Sequence, residues 1–339
     1  MLKEGDFLRT GKLLTRGASI LLTMVLLFIV SSCAAAAPRA ESIRIAGLKG
    51  ATSIGLLQLM DQSEQKKTQN TYEFGIYATA DEVTPKLIQG QLDIAAVPAN
   101  LASILYNNTK GEVVLLAVNT LGVLYIVENG ESIQSLSDLK GKTIYASGKG
   151  SSPEYGLRYL LQSEGLDPDS DVTIEWKSEP TEIVAALAAT PGSVAMLPQP
   201  YVTIAQGKVD GLRVALDLDE IWQETTPDSL MVTGVLVVRK AFAEAYPEQL
   251  SAFLSEYKAS TDFANAYAAE TGLLSDKFGL FPATVAEKAI PDLNITYIAG
   301  EQMRPAMEGY LRVLFEQNPK SVGGQLPGDD FYYAVPSKN

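Results

Sequence analysis

The chain has 339 residues, 46% of them hydrophobic, enough for one large or two medium domains with buried cores and too apolar for a disordered polymer. Lys+Arg number 27 against Asp+Glu 40, and the net charge of −13 has the wrong sign for gripping a polyphosphate backbone, so nucleic acid is excluded as an expected partner. With no histidine and one cysteine, His-based triads, His-ligated metals, paired-Cys zinc sites and intrachain disulfides are ruled out, and no metal, cofactor or catalytic group is expected.

The chain opens with Lys3, Arg9, Lys12 and Arg16, followed by an apolar run at 18–30 that suits the core of an export signal better than a membrane span. It ends in Val30-Ser31-Ser32-Cys33, which resembles the bacterial lipobox, where a cysteine after small residues takes a diacylglycerol and becomes the new N-terminus. The lone cysteine falls on that position. The alternative is a soluble exported protein cut within Ala34 to Ala37. On the lipobox reading, 1–32 is a signal peptide, Cys33 is the lipid attachment site, and 33–42 is a short tether.

From Ile43 the pattern is strand then helix, repeated, which predicts an α/β fold with parallel sheets covered on both faces. Strands are expected at 43–47, 72–77, 92–97, 113–118 and 123–127, with helices at 54–60, 81–88 and 101–106 between them. A second set begins at Asp138-Leu139-Lys140-Gly141-Lys142-Thr143-Ile144, with strands at 143–146, 172–176, 193–197 and 212–216. The β-branched run 232–238 reads as a return crossing, and the rest is mostly helical, at 240–277, 283–289 and 302–316.

Lys49-Gly50-Ala51-Thr52-Ser53 and Lys149-Gly150-Ser151-Ser152-Pro153 echo one another, each lying between a strand and an amphipathic helix. A helix start presents unpaired N–H groups and about half a positive charge, suited to a carboxylate, sulfonate, nitrate or carbonyl oxygen. Plain capping, with Ser152 at the N-cap and Pro153 after it, accounts for either segment alone. The candidate ligand contacts are Gly50, Ala51, Thr52, Ser53 and Asn100 in the first set, and Lys149, Gly150, Ser151, Ser152, Gln199 and Tyr201 in the second. Gln199 and Tyr201 follow a buried strand in Pro198-Gln199-Pro200-Tyr201, whose prolines stiffen the turn. Thr233 on the return crossing is a further candidate, and Glu182 reads as a helix-dipole partner. No arginine falls in these loops, and Lys149 would be their lone cation, which favours a neutral or singly charged ligand.

Leu87-Ile88-Gln89-Gly90-Gln91-Leu92-Asp93-Ile94-Ala95, the Asp138 to Ile144 segment and Val235-Leu236-Val237-Val238-Arg239-Lys240 resemble the periplasmic-binding-protein-like II superfamily. More narrowly they resemble the nitrate/sulfonate/taurine and thiamine-precursor group of ABC importer substrate-binding lipoproteins, across nearly all of 43–318 and including the lipobox. The resemblance implies two α/β lobes joined by crossings near 122–127 and 232–236, with a ligand cleft between them. The first lobe would combine 43–124 with 235–339, and 125–234 would form the second. It implies a monomer that captures a small-molecule ligand on the outer face of the cytoplasmic membrane or in the periplasm and delivers it to an ABC permease and its ATPase. Enzymes share this fold. A pyrimidine synthase that consumes its own histidine is excluded by composition, and a chorismate-type dehydratase works inside the cell, against the export signal. A membrane-tethered sensory protein is the alternative, though no kinase, coiled coil or second span is evident.

Overall fold

The computed structural model describes residues 39–334, so Cys33 and the signal segment lie outside the described residues. From Ala40 the chain forms one compact unit containing two sheets. β1 (Ile43–Leu48) runs through a 3-10 turn (Ala51–Leu56) into α1 (Leu57–Glu64), and β2 (Tyr72–Tyr77), α2 (Ala80–Ile88), β3 (Ile94–Pro98), α3 (Ala99–Thr109) and β4 (Val113–Thr120) follow. The chain then leaves this sheet. β5 (Leu124–Glu128), β6 (Thr143–Ala146), α4 (Ser152–Ser163), β7 (Thr173–Trp176), α5 (Pro180–Ala189), β8 (Val194–Pro198), α6 (Tyr201–Gln206), β9 (Arg213–Asp217) and α7 (Leu218–Thr225) make the second layer. It returns through β10 (Gly234–Arg239), α8 (Lys240–Ala245), α9 (Pro247–Ala266), α10 (Ala268–Lys277), α11 (Ala283–Ala289), β11 (Ile295–Ile298) and α12 (Met303–Gln317).

The first sheet has the order β11-β4-β10-β3-β1-β2 and the second β7-β6-β8-β5-β9. This is the two-lobed α/β architecture expected from the sequence, with one difference. The sheets are mixed rather than parallel: β10 runs antiparallel to β3 and β4, and β5 antiparallel to β8 and β9. The cause is the route of the chain. Strands joined by local crossover helices run parallel, toward the gap between the sheets, whereas β5 and β10 enter from that gap and run away from it. Their interiors explain why both can be central: all five residues of β5 are buried, as are the first five of β10.

Each lobe carries one buried carboxylate at the end of its sheet remote from the gap. In the first, Asp93 accepts from Arg44 Nη2 and Arg239 Nη2, both at 2.7 Å, and ties β1, β3 and β10 together. Burial alone would raise this carboxyl, but the hydrogen bonds from the two guanidinium groups outweigh it and hold it below the usual range. In the second, Glu128 accepts from Arg213 Nη2 at 2.7 Å and from the backbone N–H groups of Ser132 and Ile133. The expected long helix at 240–277 is instead three helices, broken at Tyr246 and Tyr267, with Pro247 opening α9 because its missing N–H costs nothing there. α9 packs on the 3-10 turn and α1, α10 on α1, and α12 reaches across to α4 of the other lobe. Among the described residues no helix is long and apolar enough to cross a membrane.

Candidate functional site

The carboxyl ends of the parallel strands in both sheets face one gap, the position where open α/β sheets place their ligands. A cavity of about 280 Å³ lies there, at the small end for ligand pockets, which run from about 300 Å³. The first lobe lines it with Leu48 to Thr52 after β1, Ala78 and Thr79 after β2, Pro98 at the end of β3, and Thr120 at the end of β4. The second lobe contributes Ser151 and Pro153 after β6, Ser178 to Pro180 after β7, and Pro198, Gln199 and Tyr201 after β8. Val123, Leu124 and Thr233 come from the crossings.

Seven of the twelve candidate residues therefore meet at one cavity: Gly50, Ala51, Thr52, Ser151, Gln199, Tyr201 and Thr233. Five do not line it. Ser53 is fully buried and its hydroxyl donates 2.6 Å to the Leu48 carbonyl, bracing the turn after β1. Asn100 and Ser152 are each 1% exposed and bond to one another across the lobes. Lys149 and Gly150 face solvent on the outside of their loop, and the Gly150 N–H donates 2.6 Å to Glu154 Oε2.

The expectation of two opposed helix starts is also corrected. On the first side there is a six-residue 3-10 turn instead of an α-helix start. On the second, Ser151 and not Ser152 is the N-cap of α4, and the local N–H groups are already spent. Ser152 N donates to Asn100 Oδ1 at 3.2 Å, Glu154 N to the Ser151 carbonyl at 3.0 Å, and Pro153 has no N–H to offer. An anion would find little there.

The hydroxyls that do line the cavity are already directed. Thr233 Oγ1 donates 2.5 Å to the Leu121 carbonyl and Ser151 Oγ donates 2.7 Å to the Gly148 carbonyl, so each turns lone pairs outward. Thr120 Oγ1 donates 3.0 Å to Asn119 Oδ1, whose amide nitrogen in turn holds the Thr52 carbonyl at 3.1 Å. Gln199 is nearly buried; its Oε1 accepts from Thr203 N and Oγ1, and its Nε2 lies 3.5 Å from Asp292 Oδ2 on the first lobe. Tyr201 sits edge-on to Phe281 at 5.6 Å, and burial chiefly, with the Glu179 charge adding to it, pushes its hydroxyl pKa up.

Two charged lining residues were missed from sequence. Lys49 replaces Lys149 as the cation at the site, and Glu179 is a carboxylate on the opposite lobe. Lys49 opens the segment that echoes 149–153, so its place in the echo was a usable signal; Glu179 sits in a polar loop before Pro180 and carries no such mark. Among the described residues no group of acidic or cysteine side chains is arranged to hold a metal ion.

A sequence profile described as "ABC transporter, phosphonate, periplasmic substrate-binding protein" matches residues 64–278. Among solved structures the chain is similar to an ABC transporter from Parabacteroides distasonis, 26% identical, covering 88% of this chain and 100% of that one with a TM-score of 0.72. It shares its fold with the periplasmic aliphatic sulphonate binding protein SsuA from Escherichia coli, at 19% identity, 89% and 99% coverage and a TM-score of 0.68. The same holds for the alkanesulfonate-binding protein SsuA from Xanthomonas axonopodis pv. citri bound to MOPS, at 16% identity, 87% and 96% coverage and a TM-score of 0.62. No curated protein matches the chain.

Proposed function

The chain belongs to the periplasmic substrate-binding proteins of ABC transporters, and from that premise we propose that it captures a small polar solute bearing one oxyanion group and delivers it to a membrane permease and its ATPase. The solute class is nitrate-, sulfonate- or taurine-like, with a pyrimidine thiamine precursor as the other chemistry the same group handles. No covalent chemistry is involved. Cys33 is proposed as the lipid attachment that keeps the monomer beside its permease.

The observation that carries this reading is the shared cavity. Two lobes joined by separate crossings contribute to one small cavity, and its polar groups, which are hydroxyls, one amide, one lysine and one carboxylate, suit a solute of few atoms. Preformed halves that close on a ligand sacrifice little order on binding and exclude water from its polar groups. The absence of arginine from the described lining argues for a single negative charge, because a dianion is commonly held by bidentate guanidinium pairs.

A thermal-shift screen of nitrate, alkanesulfonates, aminosulfonates, alkylphosphonates and pyrimidines tests the proposal. A ligand at 100 times its Kd stabilises by about 2.7 kcal/mol, a readily measured rise in Tm. If none of these classes raises the Tm, the small-oxyanion reading fails.

A further inference from the structure

We propose that Asp219 and Asn294, neither of which lines the cavity, are positioning residues for solute capture: they grip the backbone of Gly122 from opposite lobes and so set how far the lobes stand apart. The proposal rests on the solute-binding reading above and adds to it the side chains that govern the closure it needs.

The first crossing runs from the end of β4 at Thr120 to the start of β5 at Leu124, and every backbone polar group of Leu121 and Gly122 within it is held. Leu121 N donates to the Asn294 carbonyl at 3.1 Å, and the Leu121 carbonyl accepts from Thr233 Oγ1 on the second crossing. The Gly122 carbonyl accepts from Asn294 Nδ2 at 2.5 Å, and the Gly122 N–H donates to the Asp219 carboxylate. Asn294 belongs to the first lobe, just before β11, and Asp219 to the second, in the first turn of α7. Thr120 and Val123 on either side, and Thr233, line the cavity, so a shift of this short segment moves the cavity wall.

Each part of the grip is something the chain would otherwise avoid. Asn294 has a φ of 44°, in the left-handed region that asparagine tolerates better than most side chains, and from it both its carbonyl and its amide reach the crossing. A Cβ at Gly122 would fall 2.2 Å from Asp219 Oδ1, so the approach of that carboxylate requires glycine. Burial chiefly, with the Asp217 charge adding to it, pushes the Asp219 carboxyl up, while the bonds from Gln223 and the Gly122 N–H pull it back. Local strain of this kind gathers at functional and switch positions. α7 then carries the grip onward. Asp217 caps its start, and Trp222, three residues after Asp219 and so on the same helix face, is fully buried. Its ring packs 4.9 Å from Tyr159 of its own lobe and 5.4 Å from Tyr310 on α12 of the first lobe. A rotation at Gly122 therefore cannot occur without moving the face that α7 shares with α12.

The test reads lobe separation and binding side by side. X-ray scattering from the ligand-free protein is expected to give a larger radius of gyration for Asp219→Ala than for wild type. Calorimetry with ethanesulfonate should give a Kd raised about fivefold or more, as the binding-competent population falls to about a fifth. Asp219→Asn, whose amide oxygen still accepts from Gly122, should stay near wild type in both. Asn294→Gly removes the Nδ2 bond but keeps the left-handed backbone and its carbonyl, so it should move both readouts in the same direction as Asp219→Ala. It also decides the matter should Asp219→Ala fail to fold. Unchanged scattering, or an unchanged Kd, in the folded variants overturns the assignment and makes these bonds structural only, whatever the Tm does. Failure of ethanesulfonate to bind wild type counts against the oxyanion reading alone, and the scattering comparison still decides the grip on Gly122.

Discussion

Asn100 and Ser152 meet from opposite lobes. Asn100 Oδ1 accepts from both the backbone N–H and the hydroxyl of Ser152 at 3.2 Å, while Asn100 Nδ2 holds the Ser321 carbonyl at 3.0 Å. Both residues stand at the start of helices, α3 and α4, that follow strands ending at the cleft. Neither is reachable by solvent, so the pair is a contact between lobes and not a ligand clamp.

Asn100→Ala should therefore act on closure. It leaves the buried Ser152 N–H without its acceptor, at a cost of about 1–3 kcal/mol to the closed form. Urea unfolding should show a loss of that order, and X-ray scattering should give a larger radius of gyration for the ligand-free variant than for wild type. Identical stability and size in both proteins would mean the pair does not bias the lobes.

Ser53→Ala separates a brace from a ligand contact. The hydroxyl is spent on Leu48, and a Cβ at Gly47 would fall 2.3 Å from it, so this turn is closely packed. The variant should lose about 0.5–1.5 kcal/mol of stability with an unchanged Kd for whichever solute the screen identifies. A many-fold weaker Kd at unchanged stability would return Ser53 to the site.

The lobes were readable because strand and helix periodicity is local, and because the echo between 49–53 and 149–153 marks equivalent positions after the first strand of one lobe and β6 of the other. What could not be read was where each hydroxyl in those echoes points. Neighbours in the chain point different ways: Thr52 lines the cavity while Ser53, about 120° further round the 3-10 turn, is buried, and Ser151 lines it from the extended N-cap while Ser152 inside the helix is buried. The antiparallel direction of β5 and β10 was also hidden, since it follows from the crossings and not from any property of the strands themselves. Glu179 was invisible for a different reason: it lies in a polar loop before Pro180, with no periodicity and no echo to mark it.

Gly50 offers a steric test of the cavity. Its backbone is extended, with φ of 177°, a conformation open to any residue, and a Cβ built there meets nothing within 4 Å. Gly50→Leu should fill part of the 280 Å³ space and weaken solute binding by about tenfold or more, without strain and with the ligand-free Tm held. Unimpaired binding would place the solute elsewhere.

The anchor is tested directly. Metabolic labelling with a fatty acid should mark the wild type and leave Cys33→Ala unlabelled and released from the membrane fraction, because Cys33 is the sole thiol in the chain. Label on the Cys33→Ala protein would remove the lipid attachment from the proposed function.

Acid should find the first lobe through Asp93. Its folded carboxyl lies below the ordinary 3.8, since bonds from Arg44 and Arg239 overcome the burial that would raise it. A depressed folded value means that the unfolded chain binds the proton first as pH falls. The stabilisation is complete above about pH 4 and drains away as pH drops through the unfolded and then the folded value. Asp93→Asn removes the titrating group and leaves two guanidinium groups facing a neutral amide. It should lower stability at pH 7 and flatten the dependence of stability on pH below about 4. Urea denaturation at a series of pH values checks both effects, and an acid limb as steep as that of wild type would show that Asp93 does not carry it, leaving Glu128 in the other lobe, whose carboxyl is also held low, as the group to replace next.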